Sequence, residues 1–126
     1  MKIAVPRETA EGEARVALTP QSAAQLIADG NEVLVESGAG DASFIGDEAY
    51  REAGASVLSD ADALYRDADM VLRAGRISEG EVGKLRSGQV LIGTLGPLSN
   101  PKLAQALAER GVTAVSMDAI PRITRA

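Results

Sequence analysis

Glu32-Val33-Leu34-Val35-Glu36 decides the fold. Three large apolar residues stand in a row between two carboxylates. A strand with one wet face alternates apolar with polar residues, whereas a strand buried on both faces does not. The run therefore predicts a central strand of a parallel sheet, with helices above and below it. The residues on its N-terminal side agree. Lys2 to Val5 reads as a first strand, and Thr19-Pro20 as an N-cap followed by proline at the first helical position. Ala23, Ala24, Leu26 and Ile27 supply an apolar helix face, and Gly30 stops the helix.

The same alternation continues to the C-terminal side. A helix is expected from Asp47 to Ala53, a strand at Ser56 to Leu58, and a helix from Ser59 to Ala68 with Asp60 and Asp62 in its first turn. Met70 to Leu72 reads as a strand. Ser78 and Glu81 have capping-box spacing for a short helix to Leu85. A strand at Gln89 to Leu95, a helix from Asn100 to Arg110 and a strand at Val112 to Met117 complete the series. The class is α/β: a three-layer α/β/α arrangement, mostly parallel and doubly wound, with right-handed crossovers. No repeat or linker divides residues 1–126, which read as a single domain. No helix follows the last strand to cover that side of the sheet, so an apolar face is expected to lack its cover.

Composition removes several functions. Lys plus Arg number 13 against 18 Asp plus Glu, a net charge of −5, which argues with the scarce aromatics against nucleic-acid binding. There is no Cys, hence no disulfide, thiolate metal site or cysteine nucleophile. There is no His, hence neither the usual general base near neutral pH nor the commonest metal ligand. No metal is expected. No apolar stretch reaches the ~18 residues of a membrane span, and Met1 to Pro6 is too short for a signal peptide. The cytoplasm is the expected compartment. With only Phe44, Tyr50 and Tyr65 as aromatics, the core is expected to be Val, Ile, Leu and Ala.

In an open α/β sheet, ligands sit beyond the carboxyl ends of the strands. Arg7 and Arg15 follow the first strand, Arg73 and Arg76 the Met70–Leu72 strand, and Arg122 and Arg125 the last. Arginine pairs bidentately with carboxylate or phosphate, so together they would form a local anion site in an acidic protein. Gly38-Ala39-Gly40 opens like a dinucleotide fingerprint, but Ser43 holds the third glycine's place and further residues precede the helix. It reads as a glycine-rich turn. Gly93-Thr94-Leu95-Gly96-Pro97 is a second glycine-rich strand end.

Met1-Lys2-Ile3-Ala4-Val5-Pro6-Arg7-Glu8 and Glu13-Ala14-Arg15-Val16-Ala17-Leu18-Thr19-Pro20 resemble the opening of alanine dehydrogenases and proton-translocating NAD(P) transhydrogenases. Glu36-Ser37-Gly38-Ala39-Gly40, Ala68-Asp69-Met70-Val71-Leu72-Arg73 and Met117-Asp118-Ala119-Ile120-Pro121-Arg122-Ile123-Thr124-Arg125-Ala126 extend the resemblance along the chain. It implies a Rossmann-like lobe. Arg15 matches the substrate-binding arginine of the alanine dehydrogenases. Their catalytic lysine falls at Gly75 and their catalytic histidine at Gly96, so both groups are missing. Reductive amination needs proton transfer, which this pattern does not supply.

The transhydrogenase branch fits better. Leu95-Gly96-Pro97-Leu98-Ser99-Asn100 and Pro121 to Ala126 resemble its segments. The resemblance implies residues 1–126 as the N-terminal lobe of a two-lobed NAD(H)-binding α subunit, with the second lobe and a late returning helix outside this chain. It implies NAD(H) as cofactor, with Arg122 near the nicotinamide and Arg125, Arg15 and Gly96 lining the cleft. No catalytic residue is expected here, and the lobe alone is expected to be inactive. The implied partners are an NADP(H)-binding subunit, a membrane proton-channel subunit and a second copy of the subunit, with the assembly peripheral to the inner membrane. Two alternatives stand beside this reading: the N-terminal domain of an amino-acid dehydrogenase related to alanine or saccharopine dehydrogenase, and a non-catalytic anion-binding or assembly module.

Overall fold

The computed structural model describes residues 1–8, 16–76, 79–94 and 101–116. Six strands form one sheet: β1 (Lys2–Val5), β2 (Glu32–Glu36), β3 (Ser56–Leu58), β4 (Met70–Arg76), β5 (Val90–Thr94) and β6 (Thr113–Ser116). The helices are α1 (Pro20–Ala28), α2 (Asp47–Glu52), α3 (Ala61–Asp67), α4 (Glu79–Val82) and α5 (Pro101–Glu109). The strand order is β3-β2-β1-β4-β5-β6 and every pairing is parallel. This is the Rossmann-like doubly wound order, fully rather than mostly parallel.

The winding explains the two cores. The chain grows outward from β1 to β3, then returns past β1 to β4 and grows the other way. With right-handed crossovers, reversing direction moves the helices to the opposite face. Accordingly Ala23 of α1 and Tyr50 of α2 pack with Val5, Val33 and Val35 on one face. Leu64 and Tyr65 of α3, Val82 of α4 and Leu107 of α5 pack with Ala4, Leu34, Val71 and Leu91 on the other. The decisive run of β2 is thus divided between both cores, and none of its three apolar residues exceeds 9% exposure. On the α1/α2 face, Leu72, Ile92 and Val115 lie in cross-strand register and remain half-buried. Val71 and Leu91, facing the other way, are sealed.

Local signals act mostly as read. Thr19 Oγ1 accepts from the Ser22 amide at 3.2 Å, with Pro20 at the first helical position. Gly30 and Gly54 each take φ +100°, which a Cβ would disfavour. Three expectations need correction. Asp60 is the N-cap of α3, accepting from the Asp62 amide, rather than a first-turn charge. Tyr50 and Tyr65 are core residues: the Tyr50 hydroxyl donates to the Leu18 carbonyl at 2.7 Å, so its ring could be buried without an orphaned oxygen. Strand β4 runs on to Arg76, so Arg73 and Arg76 belong to the strand and do not follow it.

The turn after β2 is built for tight packing. A Cβ placed on Gly40 would stand 2.6 Å from the Ile45 carbonyl oxygen and 3.0 Å from the Tyr50 ring. Gly40→Ala is expected to destabilise the protein by about 1–3 kcal/mol through overpacking, measured by urea unfolding.

Candidate functional site

The direction of winding reverses between β1 and β4, so the crevice of a doubly wound sheet opens outside their carboxyl ends. Pro6, Arg7 and Glu8 leave β1 there. Arg73 lies in β4 beside them, Ser37 to Gly40 turn away from β2, and Glu81 reaches in from α4.

Arg73 is the hub. Its side chain is 1% exposed. Nη2 lies 3.0 Å from Glu81 Oε1 and 3.7 Å from Glu8 Oε1, and Nη1 donates to the Arg7 carbonyl at 2.9 Å. Glu8 Oε2 in turn accepts from the Ala74 amide at 2.9 Å. The Tyr65 hydroxyl donates to Glu81 Oε2 at 2.9 Å, and burial holds its pKa well above the usual tyrosine value, helped by the Glu81 charge. Arg73 Nε is buried without a hydrogen-bond partner.

Chemically, this cluster is closed. One guanidinium faces two carboxylates, so a further anion on Arg73 would stand against Glu8 and Glu81. The expectation that Arg73 joins an anion site is therefore corrected: its charge serves the protein's own carboxylates. Tyr65 is held neutral, which removes it as a proton donor or acceptor near pH 7.

Arg7 differs. Its amide donates to Glu36 Oε1 at 2.8 Å and its carbonyl accepts from Arg73, so the backbone is held from both sides of the crevice. Its side chain is exposed. The glycine-rich turn lies beside it: a Cβ on Gly38, which has φ +84°, would stand 3.7 Å from Arg7 Nη1 and 3.3 Å from Asp41 Oδ2. The Gly38 amide, which a fingerprint would offer to a phosphate, donates instead to Asp47 Oδ1 at 2.9 Å, while the Ser37 hydroxyl donates to Asp47 Oδ2 at 2.6 Å. Those two bonds, the backbone one foremost, lower the Asp47 pKa below its ordinary value. The segment is a self-satisfied turn, as its sequence suggested.

Arg15, Gly96, Arg122 and Arg125, the residues singled out for cofactor binding, lie outside the described residues. Sequence reasoning missed the Glu8–Arg73–Glu81–Tyr65 cluster. Glu81 had been assigned to a capping box with Ser78, which also lies outside the described residues. Among the described residues, no group of His, Cys, Asp or Glu could hold a metal ion, and no helix is long and apolar enough to cross a membrane.

Residues 4–126 match the family model for the N-terminal domain of alanine dehydrogenase and PNT. The chain belongs to this family. It is 47% identical over its whole length to the NAD(P) transhydrogenase subunit alpha of Cereibacter sphaeroides, spanning 24% of that protein. It is 42% identical over 95% of its length to alanine dehydrogenase of Bacillus subtilis, spanning 32% of it. The solved transhydrogenase from Sinorhizobium meliloti superposes with a TM-score of 0.91 at 37% identity, over 99% of this chain and 37% of that one. The chain thus spans about a quarter to a third of the curated relatives it matches, and these relatives are oxidoreductases.

The described edge surrounds the carboxyl ends of β1 and β4. It presents a cation at the crevice but no glycine fingerprint with free amides for a pyrophosphate. Replacing Arg73 with leucine would remove a buried cation that faces both Glu8 and Glu81 and leave the Arg7 carbonyl without its donor. Arg73→Leu is expected to cost about 3–5 kcal/mol in urea unfolding. For Asp47 the depressed pKa sets the sign: its contribution is full above the ordinary carboxylate value near 3.8 and is lost as pH falls through the lower folded value. Asp47→Asn should remove that acid-side part of the stability curve, measured as thermal midpoint against pH.

Proposed function

We propose that this chain is the N-terminal lobe, residues 1–126, of the NAD(H)-binding α subunit of a proton-translocating NAD(P) transhydrogenase. The observation that carries the reading is a pair of glycines. Gly75 and Gly96 stand where the resemblance puts the catalytic lysine and histidine of alanine dehydrogenases, and the chain contains no histidine at all. Amino-acid oxidation moves protons on substrate nitrogen and carbon and needs such groups. Hydride transfer from one nicotinamide ring to another does not. It needs the two rings held in contact, oriented and shielded from water. A crevice edge whose Glu8 and Glu81 are both engaged by Arg73, and whose tyrosine keeps its proton, suits that requirement.

In this reading NAD(H) supplies the hydride chemistry when bound, and the chain supplies a rigid wall. Arg122 would stand near the nicotinamide, with Arg125, Arg15 and Gly96 along the cleft. The pyrophosphate fingerprint would come from a second lobe. The assembled enzyme would contain an NADP(H)-binding subunit, a membrane proton-channel subunit and a second α subunit, and would sit at the cytoplasmic side of the inner membrane. The likeness to the transhydrogenase subunit over the whole chain supports this placement.

The test has two arms. Titration of the 126-residue chain with NADH, followed by NMR shifts, should give no saturation below millimolar concentration. The two-lobed subunit with its NADP(H)-binding partner should transfer hydride from NADH to an NADP analogue. Ammonia-dependent oxidation of NADH by pyruvate would instead make it an amino-acid dehydrogenase. Saturable micromolar binding to the lobe alone would mean a complete nucleotide site on this chain.

A further inference from the structure

The arginines differ in what their guanidinium groups do. Arg51 pairs with Glu48 at 3.2 Å and Arg66 with Asp67 at 3.8 Å. Arg73 is enclosed by Glu8 and Glu81. Arg86 donates to the carbonyls of Arg66 and Ala68, and Arg110 to those of Gly83 and Leu85. Among the arginines whose side chains are described, Arg7 is the one whose guanidinium has neither an ion pair nor a hydrogen bond among the described residues.

Both backbone polar groups of that residue are held by side chains. Its N–H is held by Glu36 at the end of β2 and its C=O by Arg73 of β4, so side chains on either side of β1 fix where its Cα points. Gly38 has no side chain to displace the guanidinium: a Cβ there would stand 3.7 Å from Arg7 Nη1 and 3.3 Å from Asp41 Oδ2, the carboxylate nearest that point. Two charged groups, Glu36 and Arg73, thus orient this backbone and leave the cation on it exposed, at the position where doubly wound sheets bind their ligands. In a chain of net charge −5, an anionic ligand needs such a local cation to offset long-range repulsion.

We infer that Arg7 is a nucleotide-binding residue, contacting a phosphate oxygen of the dinucleotide across the cleft, and that Glu36 and Arg73 are its positioning residues. The inference rests on the reading of the chain as one wall of an NAD(H) cleft. In NADH the pyrophosphate carries the only negative charge, so it is the group a crevice cation would meet. Guanidinium and phosphate match in charge and in bidentate geometry.

The experiment uses the two-lobed subunit, with NADH binding by calorimetry and hydride transfer measured separately. Arg7→Gln should raise the NADH Kd about tenfold, and the NADH KM with it, while kcat and the thermal midpoint stay unchanged. Arg7→Lys should recover part of the loss, because the charge remains but the fork is gone. Raising the ionic strength should shrink the difference between wild type and Arg7→Gln. Wild-type hydride transfer with an Arg7→Gln Kd within twofold of wild type would overturn this inference alone. Weakened NADH binding in Arg7→Gln without any wild-type hydride transfer would uphold it and overturn the transhydrogenase reading. A wild-type subunit that does not bind NADH, or a thermal midpoint that falls together with affinity in Arg7→Gln, would overturn the assignment.

Discussion

The Arg73 guanidinium joins two halves of a sheet that the winding would otherwise leave linked only by a short ladder. Between β1 and β4 the paired register covers Ile3 with Met70 and Ala4 with Val71. Beyond Val71 the strands diverge, as a switch point requires, and the gap is where a ligand would enter. Arg73 spans it from β4 to the Arg7 carbonyl, and Glu8 returns across it to the Ala74 amide. Both links are partly buried, and each satisfies a backbone group at the crevice. Glu81 and Tyr65 extend the network to α4 and α3, so the crevice floor is tied to the helices of one face.

The connection between β1 and α1 inherits its ends from this arrangement. At its start Arg7 is gripped by Glu36 and Arg73. At its end Leu18 is held by the buried Tyr50 hydroxyl, while Val16, Ala17 and Leu18 pack against the α1/α2 core. An edge held this way is preorganised, so the Arg7 guanidinium is carried on a backbone already fixed at both its N–H and its C=O.

Much of the fold was legible before any coordinates. The unbroken Val33-Leu34-Val35 run, the Thr19-Pro20 start and the Gly30 and Gly54 stops are local signals with local causes. Burial on both faces, a missing N–H that costs nothing at a helix start and a positive φ act within a few residues. The site was less legible. Glu8 and Arg73 are 65 positions apart in the chain, and nothing in their spacing distinguishes a buried pair from two solvated charges. Glu81 fitted a capping box equally well, since a carboxylate three residues after a serine carries the same pattern whatever it later touches. Both tyrosines were left out of the expected core because aromatic scarcity says nothing about where a hydroxyl can find an acceptor.

The sequence by itself determined the class, the parallel sheet and the family, and its missing histidine and the glycines at 75 and 96 carried the argument against amino-acid chemistry. These are statements about which groups exist, and a list of residues contains them. Only the tertiary structure decided, among the arginines whose side chains are described, which guanidinium groups are paired within the protein and that the one on Arg7 is not. That depends on which carboxylates and carbonyls arrive within 4 Å of each guanidinium, and chain winding sets those distances. Arg7 and Arg73 look alike as letters after strands. One is sealed between two glutamates and the other faces the crevice, because reversal of the winding at β1 places Glu8 and Glu81 around β4 and leaves the Arg7 side chain on the open side.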